Sequence, residues 1–264
     1  MRLKLLACAS ALLATPAIAA PVDLTGWQAD VLDDVAGNAN WAVQPGNDSV
    51  LQTVNGLPTI FFKDGASAQG LALSGSIKVT TTGDDDYVGF VLGYSDGEIN
   101  SSSANFILID WKQSDQFSGN MAYEGLSISH VSGNAAAASE YDFWGHEGVV
   151  NELKRGTTLG STGWDDNAEY TFDLIFLPDL IQVKVGGVLE LSLTAAEAGL
   201  AAFDNGSFGF YNYSQSFVLY AGITEDVAPD PDPEPPVVDV PEPGMLGLFG
   251  LGFVGMGLLR RRRG

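Results

Sequence analysis

A period of two governs this chain from about residue 27 to residue 224. Short runs rich in β-branched and aromatic residues, broken by Gly, Asn, Asp and Ser turns, predict strands at 59–62, 71–82, 87–94, 106–111, 126–131, 170–176, 181–185, 188–193, 207–213 and 217–223. Gly186-Gly187 separates two of these runs and reads as a two-residue hairpin, because both positions can take positive φ. Helical spacing is nearly absent, and its one candidate is a single turn at 195–200 capped by Thr194. Many short strands with no crossover helices predict an all-β fold, an antiparallel two-sheet β-sandwich or jelly roll, rather than an α/β sheet.

Charge narrows the partners. The chain has 264 residues with 12 Lys and Arg against 33 Asp and Glu, a net charge of −21. Six of the basic residues (Arg2, Lys4 and Arg260 to Arg263) lie at the two ends, so the middle is more acidic still. Nucleic acid and anionic lipid surfaces require Lys and Arg to replace counterions, and both are excluded as partners of the central region. Cations and neutral glycans remain. The single cysteine, Cys8, falls in an apolar N-terminal segment, so neither a disulfide nor a cysteine nucleophile is expected in the mature protein.

The ends carry sorting signals. Arg2 and Lys4 precede an apolar run at 5–13 and a small-x-small site at Ala17-Ile18-Ala19, the pattern of a secretory signal peptide over 1–19, removed by signal peptidase after Ala19. One domain is expected over 20–224. The stretch 225–240 alternates proline with acids and reads as an extended linker, since proline fixes φ and the acids repel. The segment 241–264 then gives Pro241-Glu242-Pro243, an apolar run at 245–259 and the cluster Arg260, Arg261, Arg262 and Arg263. Those 15 apolar residues would span about 22 Å as a helix, and snorkelling arginines would help such a short transmembrane helix cross a core of about 30 Å. The three ordered features resemble the PEP-CTERM sorting signal. That resemblance implies recognition and cleavage by an exosortase-type membrane protease in a Gram-negative bacterium that makes exopolysaccharide, with the membrane engaged only through this tail before processing.

Within the domain, Gly83-Asp84-Asp85-Asp86 runs directly into the strand pattern Tyr87-Val88-Gly89-Phe90-Val91-Leu92-Gly93-Tyr94. Two carboxylates about 5 Å apart repel by roughly 3 kcal/mol at an effective dielectric near 20. Three together must therefore spread into water as a solvated turn or share a cation, and Ca²⁺ accepts several carboxylate and carbonyl oxygens in flexible geometry. Strict alternation aims Tyr87, Gly89, Val91 and Gly93 one way and Val88, Phe90, Leu92 and Tyr94 the other. Asp84, Asp85 and Asp86 can meet at one ion only if the chain turns before the strand, and Asp96 or the Trp164-Asp165-Asp166 stretch would complete the ligands.

The string from Asp84 to Tyr94, with Phe106-Ile107-Leu108-Ile109-Asp110-Trp111-Lys112-Gln113 after a Ser-rich loop, resembles the core motif of the thrombospondin C-terminal domain. Gly163-Trp164-Asp165-Asp166, Tyr170-Thr171-Phe172 and Gly206-Ser207-Phe208-Gly209-Phe210-Tyr211 are similar to its later strands, in the same order. The resemblance implies a calcium-binding, lectin-like (concanavalin A-like) sandwich. The chain departs from the animal proteins in lacking domain cysteines and the preceding aspartate-rich repeats, so their adhesive partners do not carry over.

Catalytic patterns fare poorly. Gly93-Tyr94-Ser95-Asp96-Gly97 matches a nucleophile elbow by letter, but a loop rather than a helix is expected after it. His130 and His146 each stand alone in sequence, and His146 reads as a surface or loop residue. Trp41, Trp111, Trp144 and Trp164 could stack on sugars or fill the core. The expectation is a non-enzymatic, calcium-binding adhesion module for glycan or matrix protein at the cell surface or in the extracellular matrix. The competing class is an exported carbohydrate-active enzyme, which would need paired carboxylates about 5 to 9 Å apart in a cleft.

Overall fold

The computed structural model describes residues 19–231. In chain order the first strands are β1 (Gln28–Val31), β2 (Trp41–Val43), β3 (Ser49–Gln52), β4 (Thr59–Phe62), β5 (Leu71–Val79), β6 (Tyr87–Tyr94), β7 (Ala104–Lys112) and β8 (Gln116–Ser118). They are followed by β9 (Asn120–Ala122), β10 (Gly125–Gly133), β11 (Val150–Arg155), β12 (Glu169–Phe176), β13 (Leu180–Val185), β14 (Val188–Thr194), β15 (Ser207–Tyr213) and β16 (Val218–Val227). One short helix, α1 (Glu140–Gly145), interrupts the series. All ten expected strands are present with ends shifted by a few residues. The turn expected at 195–200 forms a reciprocal cap, Thr194 N donating to Glu197 Oε2 at 2.7 Å and Glu197 N to Thr194 Oγ1 at 3.2 Å, without a helix following it.

Two seven-stranded antiparallel sheets face each other. The front sheet runs β1-β4-β15-β6-β7-β10-β11 and the back sheet β14-β13-β12-β5-β16-β3-β2, while β8 and β9 pair as a separate hairpin. β16 continues to Val227, pairing Glu225, Asp226 and Val227 with Leu73, Ala72 and Leu71, so the sheet extends three residues past the expected boundary at 224. Residues 1–18 of the expected signal peptide, the tail helix and Pro241, Glu242, Pro243 and Arg260 to Arg263 lie outside the described residues. Among the described residues no helix is long and apolar enough to cross a membrane.

The space between the sheets holds Val88, Phe90, Leu92, Ile109 and Trp111 from the front and Phe172, Leu174, Phe176, Val218 and Tyr220 from the back. Each such buried side chain contributes about 1.5–3 kcal/mol by leaving water. An antiparallel sheet commonly leaves its outer face wet, but here that face carries a second apolar layer. Tyr87, Val91, Tyr94, Phe106, Leu108 and Tyr211 pack there against Ala135, Phe143 and Trp144 from the segment that contains α1. Every residue of β6 is consequently buried. The strict alternation expected for β6 fails at its end: Gly93 takes φ +72°, the register slips between Ser207 and Gly209 on β15, and Tyr94 joins the layer of Tyr87 and Val91 rather than that of Phe90.

Candidate functional site

Where the chain enters β6, Asp84, Asp85 and Asp86 place one carboxylate oxygen each within 4.8 Å of one another. Lys112 ends β7 and is the cross-strand partner of Tyr87, which brings its ammonium to these acids. Nζ donates to Asp86 Oδ1 at 2.8 Å, to the Asp85 carbonyl at 2.8 Å and to Gln116 Oε1 at 3.0 Å, and lies 3.4 Å from Asp85 Oδ1. It also stands 4.9 Å from the centre of the Trp144 ring, a cation–π distance. A fully buried lysine is tolerated only with such pairing. Burial pushes the Asp86 carboxyl up to about 6, with Asp84 adding to the rise and Lys112 opposing it.

Neutral partners hold the rest of the loop. Asp86 N donates to Gln215 Oε1 at 3.0 Å, and the Trp164 indole donates to the carbonyls of Asp86 and Trp111, each at 3.1 Å. Asn55 donates to Asp84 and Ser114 to Asp85. The expected turn ahead of β6 therefore exists, fixed by five side chains from four neighbouring segments.

Above the loop opens a cleft of about 340 Å³. Asp84 and Asp86 line it from the loop, Gln116 and Ser118 from β8, Glu140 and Trp144 from α1, Tyr213 and Ser214 from the end of β15, and Asn38, Asn55 and Leu57 from the early loops. Tyr213 stacks on Tyr87 with ring centroids 6.1 Å apart and meets Trp144 edge-on at 5.5 Å. The cleft thus sits at the end of the front sheet, while the second apolar layer covers that sheet's face.

The α1 wall is fastened by an ion cluster. His146 Nε2 lies 2.9 Å from Asp110 Oδ2 on β7, and Nδ1 lies 3.1 Å from Glu152 Oε2 on β11. Ser127 Oγ donates to Asp110 Oδ1 at 2.8 Å, and Arg155 Nε to Glu152 Oε1 at 2.9 Å. Burial works against charge on His146, but Asp110 and Glu152 outweigh it and raise its pKa to about 9. Of the surface or loop position expected for His146, the loop holds, since it sits in the turn that ends α1, and the surface is corrected: its side chain is 6% exposed, because the turn folds it down between two strands distant in sequence. Ser127 bonds Asp110 rather than the histidine, so the cluster lacks the serine–base contact of nucleophilic catalysis.

The remaining candidates are dispersed. Asp96 accepts from Gln28 at the opposite end of β6 from the three aspartates, about 26 Å along an eight-residue strand. The structure does not bring it to them. Ser95 is followed by a three-residue 3₁₀ turn, Glu98–Asn100, instead of a helix, and His130 Nε2 lies 2.6 Å from Asn105 Oδ1. Trp111 and Trp164 are core, and Trp41 stacks on Phe61 at 5.4 Å. Lys112, Glu140 and Tyr213 were missed as site residues; pairing strands 87–94 and 106–111 as a hairpin would have put Lys112 beside the acids.

This architecture aligns with a carbohydrate-binding module, CBM66, from Bacillus subtilis, at a TM-score of 0.51 and 12% identity over 76% of this chain and 96% of that one. It aligns similarly with a Bacillus subtilis protein of galectin-like fold, at 0.52 and 8% over 77% and 90%. At such identities the likeness is one of fold. In sequence the chain is 27% identical over 220 residues to thrombospondin-3b of Danio rerio and 26% over 218 residues to thrombospondin-3 of Homo sapiens. Those matches take in 76% of this chain and 22% of each relative, so the chain spans about a fifth of their length. Residues 239–263 match the PEP-CTERM protein-sorting motif. Residues 36–227, more than half of the chain, match the thrombospondin C-terminal region, and the chain belongs to that family.

Proposed function

We propose that the protein is an exported, non-enzymatic binding module that holds glycan or matrix protein at the surface of a Gram-negative bacterium or in its extracellular matrix. The observation that carries this is the cleft: hydroxyls, amides and carboxylates beside the rings of Trp144 and Tyr213, the polar and aromatic mix that suits sugar recognition. The carbohydrate-binding role in the name of the similarly folded module supports it. The sorting motif supports delivery through an exosortase-type protease after signal peptidase has removed the leader. Glycan-array binding by the processed protein, in calcium and in chelator, tests the reading, and an array blank in both conditions overturns it.

Ca²⁺ belongs to the same proposal. Three carboxylates and one ammonium leave two negative charges on the loop, which a divalent cation would balance. Asp84 and the oxygens of Asp85 and Asp86 turned away from Lys112 would hold the ion, which supplies charge balance and rigidity to the cleft floor. Chelation would then loosen the loop that carries Asp84 and Asp86, and glycan affinity would fall with it.

A further inference from the structure

We propose that the cleft selects a sugar bearing a free, protonated amine, and that Glu140 is the residue that reads that amine. The inference rests on the glycan-binding reading and names its substrate class. Three of the residues lining the cleft, Asp84, Asp86 and Glu140, are acidic, and none is basic. Lys112 lies beneath, committed to Asp86, Asp85 and Gln116. Uronate or sulfate groups would meet like charge at short range. A neutral sugar would be admitted but would leave the Glu140 carboxylate without a counter-charge.

Glu140 stands apart from the two aspartates. Its carboxylate makes no hydrogen bond or ion pair with any described residue, although it is only half-exposed. Asp84 and Asp86 already have Asn55 and Lys112.

A second feature points to a ligand. Tyr213 is 5% exposed, yet its hydroxyl has no hydrogen-bond partner among the described residues. With its ring held by Tyr87 and Trp144, the phenol end is left to the cleft, where the charges of Glu140 and Asp86, after burial itself, push its pKa up. That hydroxyl opens on the cleft and is free to bond whatever occupies it. A sugar hydroxyl or amine satisfies it, while Asn38, Asn55, Ser118 and Ser214 offer further donors and acceptors. The volume is at the lower end of the range of about 300–1,000 Å³ seen for ligand clefts, suited to a short sugar unit.

Calorimetric titration of the processed protein with three probes decides the matter: glucosamine oligomers, N-acetylglucosamine oligomers and uronate oligomers of equal length. Wild type is expected to bind the free-amine oligomer about tenfold or more tightly than the acetylated one, the size of a charge-assisted hydrogen bond, and the uronate not at all. Glu140→Gln should erase that preference, so that the free-amine oligomer binds no tighter than the acetylated one, and Tyr213→Phe should weaken both amino and acetylated ligands. Circular dichroism and melting confirm that each variant folds. Equal binding of the first two probes by wild type, or a preference that survives Glu140→Gln, overturns the amine assignment while leaving the glycan-binding reading intact. Binding of no oligomer, with a blank glycan array, brings down both.

Discussion

Lys112 Nζ sits 2.8 Å from Asp86 Oδ1, and the two side chains are 0% and 3% exposed. The chain thus supplies a cation of its own to the acidic loop. Removing one partner of a buried pair strands the other, at a cost of about 3–5 kcal/mol. Lys112→Met is therefore expected to lower the urea midpoint strongly, and Lys112→Met with Asp86→Asn to recover much of the loss, as a double-mutant cycle would reveal. The deficit of the single variant should shrink in acid, where Asp86, already raised to about 6, takes up a proton. A single variant as stable as wild type at neutral pH would contradict this account of the loop.

Calcium should add to Lys112 rather than replace it. At a hundredfold excess over the dissociation constant, binding adds about 2.7 kcal/mol, which for a domain of this size raises the melting temperature by roughly 5–10 °C. Melts in calcium and in chelator, on wild type and on Asp84→Ala, measure it. Wild-type melts that superimpose would leave the aspartates with Lys112 alone.

His146 makes stability depend on pH in a defined direction. Its folded pKa of about 9 lies above the ordinary 6.5, so its contribution is complete below about 6.5 and is lost as pH rises through about 9. Glu152 runs the other way: burial opposes it, but hydrogen bonds from His146 and Arg155 hold it at about 2, so its share is lost only as pH falls from about 4.5 toward 2. The shift on His146 corresponds to about 3 kcal/mol. Chemical denaturation should place His146→Gln below wild type by that order at pH 7, with the gap closing above pH 9. A gap constant from neutral to alkaline pH would mean that the imidazole carries no charge in the fold.

Processing is the fourth expectation. The order of Pro241-Glu242-Pro243, apolar run and arginine cluster within the matched sorting motif predicts a mature protein without residues 245–264. Intact mass of protein recovered from its native host should show the loss, and a full-length mass in the membrane fraction would leave a plain tail anchor.

The strands that sequence revealed are those whose alternation includes β-branched and aromatic residues, such as β6 and β12. β11 was not, because Asn151, Glu152, Lys154 and Arg155 suit an edge strand and read as a polar loop. α1 is a six-residue helix built on aromatic and acidic residues, too short to express a helical period. The three aspartates were visible as a group, whereas His146 was not visible as a clamp, because its partners come from β7 and β11, which only sheet order brings beneath it. Glu140 and Tyr213 reach one cleft by the same long-range assembly.

β16 also fixes how the domain would carry a load. The cleft residues Tyr213 and Ser214 lie just before its first residue, Val218, and the chain toward the sorting motif leaves after its last, Val227, about 30 Å further on. A flowing or growing matrix that tugged on a bound glycan while the tail was held would pull along this strand, whose ladders to β3 and β5 flank it in mid-sheet. The tension would fall on many backbone hydrogen bonds in shear at once, rather than opening them one after another like a zip. Single-molecule stretching between the cleft and residue 227 should therefore require more force than stretching across the sheet.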